Sequence, residues 1–280
     1  MHLVACDLDG TIVRRDGTIS PRTLAAFAEC EKAGVSIVFA TGRPVRRMTS
    51  IIEMTGRAGF AVCSNGAVSL DLRSGSIIEL QPLTAKVVTE SVSRLRSVLP
   101  PVIFAVDTLH GYGSEPGYFR DSSPDRMLVV GSLADVLSQD LPVVKLLCRL
   151  VPDCPTPVMI ADEMLRLARQ ALADVADPVH SDPAGTKLEI SALGISKASQ
   201  LSKFAHSMKI AKQDIVAFGD MPNDIPMLRW AGRSYAMSGG HPEAIGAADA
   251  IAPSCHDDGV AQVLEQILAH RAGSSSHGRP

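Results

Sequence analysis

The sequence predicts an α/β fold: a Rossmann-like core built on a parallel sheet, interrupted by a second α+β unit. Three observations lead there. Apolar runs of strand length alternate with helical segments from Leu3 to Cys63. That alternation predicts a parallel sheet with helices on its faces. Near Leu83 the pattern changes, and near Lys197 the first pattern returns. Residues 1–82 and 187–280 are therefore expected to form one discontinuous core, with 83–186 inserted between its halves. The Gly/Ser-rich end, 272–280, reads as a disordered tail.

Leu3–Cys6 is a short buried strand. Ile12–Val13 and Thr18–Ile19 flank Asp16–Gly17, a hairpin signal. Pro21 suits a first helical turn, Leu24, Phe27 and Ala28 share a face, and Gly34 stops that helix. Val35–Ala40 is a continuous apolar strand, Pro44 opens a helix over RRMTSIIEM, and Phe60–Cys63 is a strand before an Asn65–Gly66 turn. The inserted stretch holds a helix over Ala85–Leu99, short strands, the Gly/Pro-rich loop HGYGSEPGYFRDSSPDR and a helix over Asp162–Val175. Lys197 then opens a helix with Leu201, Phe204, Ala205 and Met208 at i, i+3, i+4, i+7 spacing. Strands at Ile215–Phe218, Ser234–Met237 and Ala250–Ala252 follow, and Val263, Leu264, Ile267 and Leu268 stripe the last helix.

Composition narrows the function classes. Of 280 residues, 46% are hydrophobic, which is ample for a core, and the net charge is −3. A nucleic-acid binder normally shows a basic face, and none is indicated. The six cysteines, at 6, 30, 63, 148, 154 and 255, form no C-x-x-C and no zinc spacing, which fits a reduced, cytoplasmic protein. Two aspartates in the first ten residues argue against a signal peptide. The most apolar stretch, Pro142–Val151, is broken by Lys145 and Arg149, so no membrane span is expected.

Four polar clusters carry chemistry. Asp7 and Asp9 follow the first strand, Thr41–Gly42–Arg43 the second, and Gly219–Asp220 with Asn223–Asp224 a later one; Lys197 sits at a helix mouth. Singly, each has an ordinary reading: a hairpin tip, a strand-to-helix turn, a helix cap and a solvated lysine. An EF-type calcium loop fits poorly, because Thr11 and Ile12 stand where an acidic ligand and the glycine belong. In an open parallel sheet, however, ligands bind beyond the carboxyl ends of the strands, so the clusters should converge. Asp7, Asp9, Asp220 and Asp224 at one point would raise each other's pKa and call for a cation, for which Mg²⁺ suits oxygen ligands. A lysine, a hydroxyl and helix N-terminal amides would complement a phosphoryl group.

The motifs CDLDGT, ATGR, SNGA, LEISALGISKASQL, FGDMPNDIPML and MSGGHPEAIGAADAIAPSCHDDGVA, in that order, resemble the haloacid dehalogenase superfamily. Within it they resemble the Cof-like phosphatases of subclass IIB, which carry an α/β cap inserted in the core. The resemblance implies a nucleophilic Asp7 that forms an aspartyl-phosphate. It implies a general acid/base in Asp9, whose backbone carbonyl also ligates the metal. Thr41 and Lys197 would hold phosphoryl oxygens, with amides lent by Gly42 and the Leu8 backbone. Asp220 would bind Mg²⁺, and Asn223 and Asp224 would complete the metal and phosphate shell. Two departures stand out: Ala198 replaces the usual glycine after the lysine, and Ser238–Gly239 stands where relatives often carry an asparagine.

The reading that follows is a Mg²⁺-dependent phosphatase for small phosphorylated metabolites, sugar phosphates or phosphorylated cofactors, without nucleic-acid or membrane partners. A hexose-phosphate phosphomutase and a non-catalytic phospho-ligand-binding regulator are the alternatives. In the inserted unit, the loop His110–Arg126 offers His110, Tyr112, Tyr118, Phe119, Arg120 and Arg126. Of these, His110, Tyr118 and Arg120 are candidates for substrate specificity. His241 and His256 read as ordinary surface or loop residues.

Overall fold

The computed structural model describes residues 1–56, 59–119, 125–151, 160–182 and 185–276. The first part of the chain runs β1 (Leu3–Cys6), α1 (Pro21–Lys32), β2 (Ser36–Ala40), α2 (Thr49–Thr55), β3 (Phe60–Cys63), β4 (Val68–Asp71) and β5 (Ile77–Leu80). The middle runs α3 (Ala85–Val98), β6 (Val102–Thr108), β7 (Tyr112–Ser114), β8 (Met127–Val130), α4 (Leu133–Leu137), β9 (Val143–Leu150), α5 (Ala161–Ala171), β10 (Ala176–Val179) and β11 (Lys187–Ala192). The last part runs α6 (Lys197–Ser207), β12 (Ile215–Gly219), α7 (Ile225–Trp230), β13 (Arg233–Met237), α8 (Pro242–Ala247), β14 (Ala250–Ala252) and α9 (Gly259–Ser276).

The core is an eight-stranded sheet in the order β14-β13-β12-β1-β2-β3-β4-β5. From β14 through β3 all pairings are parallel. β1 is central and buried on both faces, which is why LVAC reads as an unbroken apolar run. Its register aligns Cys6 with Phe218 of β12 and Phe39 of β2. The residues that follow these strands, Asp7, Asp220 and Thr41, therefore emerge along one edge of the sheet. The antiparallel hairpin β4–β5 extends the far side, an addition the apolar pattern did not reveal. α1 starts as expected: Ser20 caps it by accepting the Thr23 N–H, with Pro21 in the first turn.

The inserted cap is a second sheet of six strands, in the order β10-β11-β9-β6-β7-β8. Apart from a register shift at Asp107/Thr108, its central strands alternate. Phe104 and Val106 of β6, Leu146 and Cys148 of β9, and Leu188 and Ile190 of β11 pack in one apolar cluster with Val88, Val92 and Leu95 of α3 and Met164, Leu165 and Ala168 of α5. The intervening residues, Asp107, Lys145, Lys187 and Glu189, belong to the opposite face. That face borders the catalytic edge of the core.

Several boundaries differ from the sequence reading. β11 pairs antiparallel with β9 and β10, so the second sheet takes in residues up to Ala192 rather than ending at 186. The segment after Pro44 is a single 3₁₀ turn, Val45–Arg47, before α2 begins. α5 stops at Ala171, because the chain turns at Leu172 into the strand starting at Ala176. Met208 is the C-cap of α6 and half exposed, not part of its buried stripe. α9 continues to Ser276, past the point at 272 where a tail was expected, since each added helical residue gains one backbone bond. The remaining residues, 277–280, lie outside the described part. No described helix is long and apolar enough to cross a membrane.

Candidate active site

The four clusters do meet. Asp7, one residue beyond β1, is 5% exposed, and its backbone N–H donates to the Phe218 carbonyl of β12. Lys197 opens α6, whose cap Ser196 accepts from the Ser199 amide. It is not the solvated lysine of the simplest reading: it is 0% exposed, and its Nζ lies 2.6 Å from both Asp7 Oδ1 and Asp224 Oδ1. A buried ammonium is tolerated only when paired. Burial alone would lower its pKa, but Asp224 and Asp7 together hold it raised.

Asp224 is the most committed of the carboxylates. Its Oδ1 takes Lys197, and its Oδ2 takes the backbone N–H groups of Asp220 and Met221, each at 3.0 Å. It thus ties the loop after β12 to the lysine. Gly219 leaves it space, since a Cβ there would lie 2.5 Å from the Asp224 Cβ. Asp220 accepts the Thr11 hydroxyl at 3.1 Å. Gly10, at φ +82°, is required beside it: a Cβ would sit 2.3 Å from Asp220 Oδ2. Burial, then the Asp224 charge, pushes the Asp220 carboxyl up to about 7. Asp7 is likewise raised, mainly by burial, against the opposing pull of Lys197.

Asp7, Asp220 and Asp224 offer oxygens that all lie within 4.8 Å of one another. The donor set is all carboxylate, two of its members are pushed toward protonation, and a backbone without a Cβ makes room beside one of them. These residues fit a hard divalent cation such as Mg²⁺. Asp9 stands apart from the trio. It is exposed, and Arg43 grips it with Nε at 2.8 Å and a second guanidinium contact. Thr41 is buried, and its hydroxyl accepts the Arg43 backbone N–H at 3.0 Å. Leu8 is fully buried, with its carbonyl accepting the N–H groups of Thr11, Ile12 and Val13.

A cavity of about 240 Å³ opens over Asp7, Asp9, Thr41, Gly42 and Asn223. Asp107, Tyr112, Lys145, Ser181, Lys187 and Glu189 form its cap wall. A larger cavity, about 660 Å³, adjoins it beside Asp9, Arg43 and Asp220. Of the loop His110–Arg126, Tyr112 reaches the smaller cavity, whereas the described specificity candidates do not. Tyr118 is 3% exposed and packed with Ala105, Tyr112 and Leu147 inside the cap, and neither it nor His110 lines the smaller cavity. Arg120 lies outside the described residues. Burial of the Tyr118 ring explains the difference, since it packs against its own sheet.

Two functional groups escaped sequence reasoning. Lys145 reaches from the cap to the core, donating to the Gly42 carbonyl at 2.7 Å and to Glu189 Oε2 at 3.0 Å. Glu189 in turn accepts from Asn65 Nδ2 at 2.8 Å, and Asn65 Oδ1 accepts from Asn223 Nδ2 at 3.1 Å. Burial would raise Glu189, yet Lys145 and Lys187, with the Lys145 and Asn65 hydrogen bonds, hold it well below the usual carboxylate range. The signal is charges that keep to one face of otherwise apolar strands: Lys145 and Arg149, four apart, in β9, and Lys187 and Glu189, two apart, in β11.

A model of the haloacid dehalogenase-like hydrolases matches residues 4–264. An HMP-PP phosphatase of Yersinia pseudotuberculosis is 27% identical over 252 residues, covering 86% of this chain and 85% of that one. The 5-amino-6-(5-phospho-D-ribitylamino)uracil phosphatase YitU of Bacillus subtilis is 27% identical over 286 residues, covering 96% and 98%. SMU.1108c from Streptococcus mutans has the same fold, with TM-score 0.82 at 19% identity over 96% of this chain and 99% of that one. So does BT4131, described as a subclass IIB sugar phosphatase, with TM-score 0.76 at 19% identity over 95% and 99%. With motifs, sheet order and inserted cap in agreement, the chain belongs to the haloacid dehalogenase-like hydrolases, in their Cof-like branch.

Proposed function

We propose that the protein is a Mg²⁺-dependent phosphatase that hydrolyses small phosphomonoesters through an aspartyl-phosphate on Asp7. The observation that carries this reading is Lys197, wholly buried and 2.6 Å from both Asp7 and Asp224 at the carboxyl edge of the sheet. A lysine so placed opposes the burial that raises Asp7 and offers a fixed positive charge to a phosphoryl oxygen.

The chain's own residues divide the work. Asp7 attacks phosphorus while the ester oxygen leaves in line, forming a P–O bond to the carboxylate. Asp9, on the exposed side, gives its proton to the departing alkoxide. It then takes a proton from the water that attacks phosphorus and frees Asp7. Thr41, Lys197, Asn223 and the amides of Leu8 and Gly42 hold the phosphoryl oxygens. Arg43, now clasping Asp9, is the natural group to turn toward an incoming phosphate, leaving Asp9 free to move its proton. Asp7, Asp220 and the Asp9 carbonyl would hold Mg²⁺, with Asp224 orienting the group. The ion would supply neutralisation of the phosphate charge and of the carboxylate repulsion.

The cap wall mixes cations, anions and a phenol over the phosphate site, which supports a polar leaving group such as a sugar or a phosphorylated cofactor. The names of the curated relatives point to substrates of that kind. The test is phosphate release from a panel of phosphorylated metabolites and from p-nitrophenyl phosphate, with Mg²⁺ and with EDTA. Asp7→Asn should remain folded and lose essentially all turnover. Wild-type phosphate release by that variant would end the covalent reading. Isomerisation without phosphate release would favour the phosphomutase.

A further inference from the structure

One polar cluster outside the pocket joins the cap to the core. His180 follows β10 and is fully buried, and His241 caps α8 on the core side at 7% exposure. Both present Nε2 to Asp162, the second residue of α5. His180 lies 2.7 Å from Oδ1, and His241 lies 3.1 and 3.2 Å from Oδ1 and Oδ2. His241 reads from the sequence as a surface or loop residue; it does lie in the loop before α8, but buried.

The three residues have the ligand types of a transition-metal site, and their donor atoms lie within 4.8 Å of one another. The tautomer argues otherwise. The Nδ1 of His241 accepts the Glu243 backbone N–H at 3.2 Å, so its proton sits on Nε2 and is donated to Asp162. A metal on Nε2 would require the proton on Nδ1, facing that N–H. The cluster is therefore built as two hydrogen bonds onto one ionised carboxylate, the stronger kind of such bonds.

Each end is anchored to a wall of the active site. The His241 backbone N–H donates to the Asp220 carbonyl at 2.7 Å. Ser181, beside His180, lines both cavities, and its hydroxyl donates to Glu189 at 3.3 Å. At another cap–core contact, Arg46 of the core donates to Asp107 at 2.7 Å and to the Thr108 carbonyl at 2.8 Å. We propose that Asp162 is a positioning residue: by gathering His180 of the cap and His241 of the core, it seats the Ser181–Glu189 wall over the Asp220 loop. The tie concerns only how cap and core dock, and it holds whatever substrate the site takes.

Amide hydrogen exchange tests it without turnover. Asp162→Ala should speed exchange about tenfold or more in peptides spanning 176–192 of the cap and 233–247 of the core, leaving 215–219 unchanged. Asp162→Asn, which keeps an acceptor oxygen, should restore most of the protection. Faster exchange on the cap side alone would reduce Asp162 to a local cap contact and overturn the proposal. So would an Asn variant no better than Ala. A rise in melting temperature with Zn²⁺ in the wild type, lost in Asp162→Ala, would make the cluster a metal site and also overturn the tie.

Discussion

At the scale of single residues, the site stores unfavourable electrostatics. Asp7 and Asp220 are both raised by burial, and Asp220 reaches about 7. An unfolded aspartate titrates near about 3.9. Between those values the folded chain binds more protons than the unfolded one, so stability falls as pH rises. The ceiling is about 1.4 kcal/mol per pH unit for each group. In EDTA, the melting temperature should therefore decline from pH 4 toward 7, and Asp220→Asn should flatten that decline. Mg²⁺ should raise it again near pH 7, most strongly in the wild type. A wild type and an Asp220→Asn variant with parallel pH profiles would refute the buried-carboxylate account. Lys197→Ala removes the compensating charge and should cost roughly 10²–10³ in kcat, the scale of losing one fixed electrostatic donor.

At the scale of elements, precision comes from short connections rather than from the strands. Ser64 and Asn65 are both left-handed, at φ 49° and 56°, and Gly66 follows at 112°. Consecutive non-glycine residues of this kind persist only where the surroundings over-determine them. Here they do: Ser64 N–H donates to the Arg43 carbonyl, Asn65 N–H to the Thr41 carbonyl, and the Asn65 side chain joins Glu189 to Asn223. Sequence reading saw Asn65–Gly66 as a turn, and could not see that this turn supports the Thr41 loop, because its partners are distant in the chain. Gly66 is fixed for a second reason, since a Cβ would lie 2.4 Å from the Ser196 carbonyl at the cap of α6. Gly66→Ala should destabilise by at least about 2 kcal/mol, read by urea unfolding. It should also lower kcat on p-nitrophenyl phosphate, because Lys197 begins that helix. An alanine variant with normal stability and normal rate would show the contact to be easily relieved.

At the scale of the whole molecule, the catalytic edge was legible because strand ends in a parallel sheet collect chemistry, and Asp7, Thr41 and Asp220 each follow an apolar run. The cap's contribution was not, because its polar residues lie inside strands. In VVKLLCRL the pattern argues only against a membrane span, although Lys145 is the cap residue that touches the Gly42 carbonyl. Tyr118, a candidate by the composition of its loop, packs instead on its own sheet. Substrate choice should accordingly follow the sheet face. Lys187 is the cap-wall cation with the most freedom: its side chain is 43% exposed and lies 3.3 Å from Glu189 Oε1. Lys145, by contrast, is locked between Glu189 and the core. Lys187→Ala should lower kcat/KM for the best metabolite about tenfold, chiefly through KM, because it removes one charged contact to the non-reacting part of the substrate. On p-nitrophenyl phosphate, whose contacts lie mostly in the core, the change should stay within about threefold. Tyr118→Ala should instead lower the stability of the cap and leave the ratio of the two substrates unchanged. If Lys187→Ala slows both substrates equally, the cap face does not select the substrate, and the larger cavity beside Asp9 and Asp220 becomes the place where selection is made.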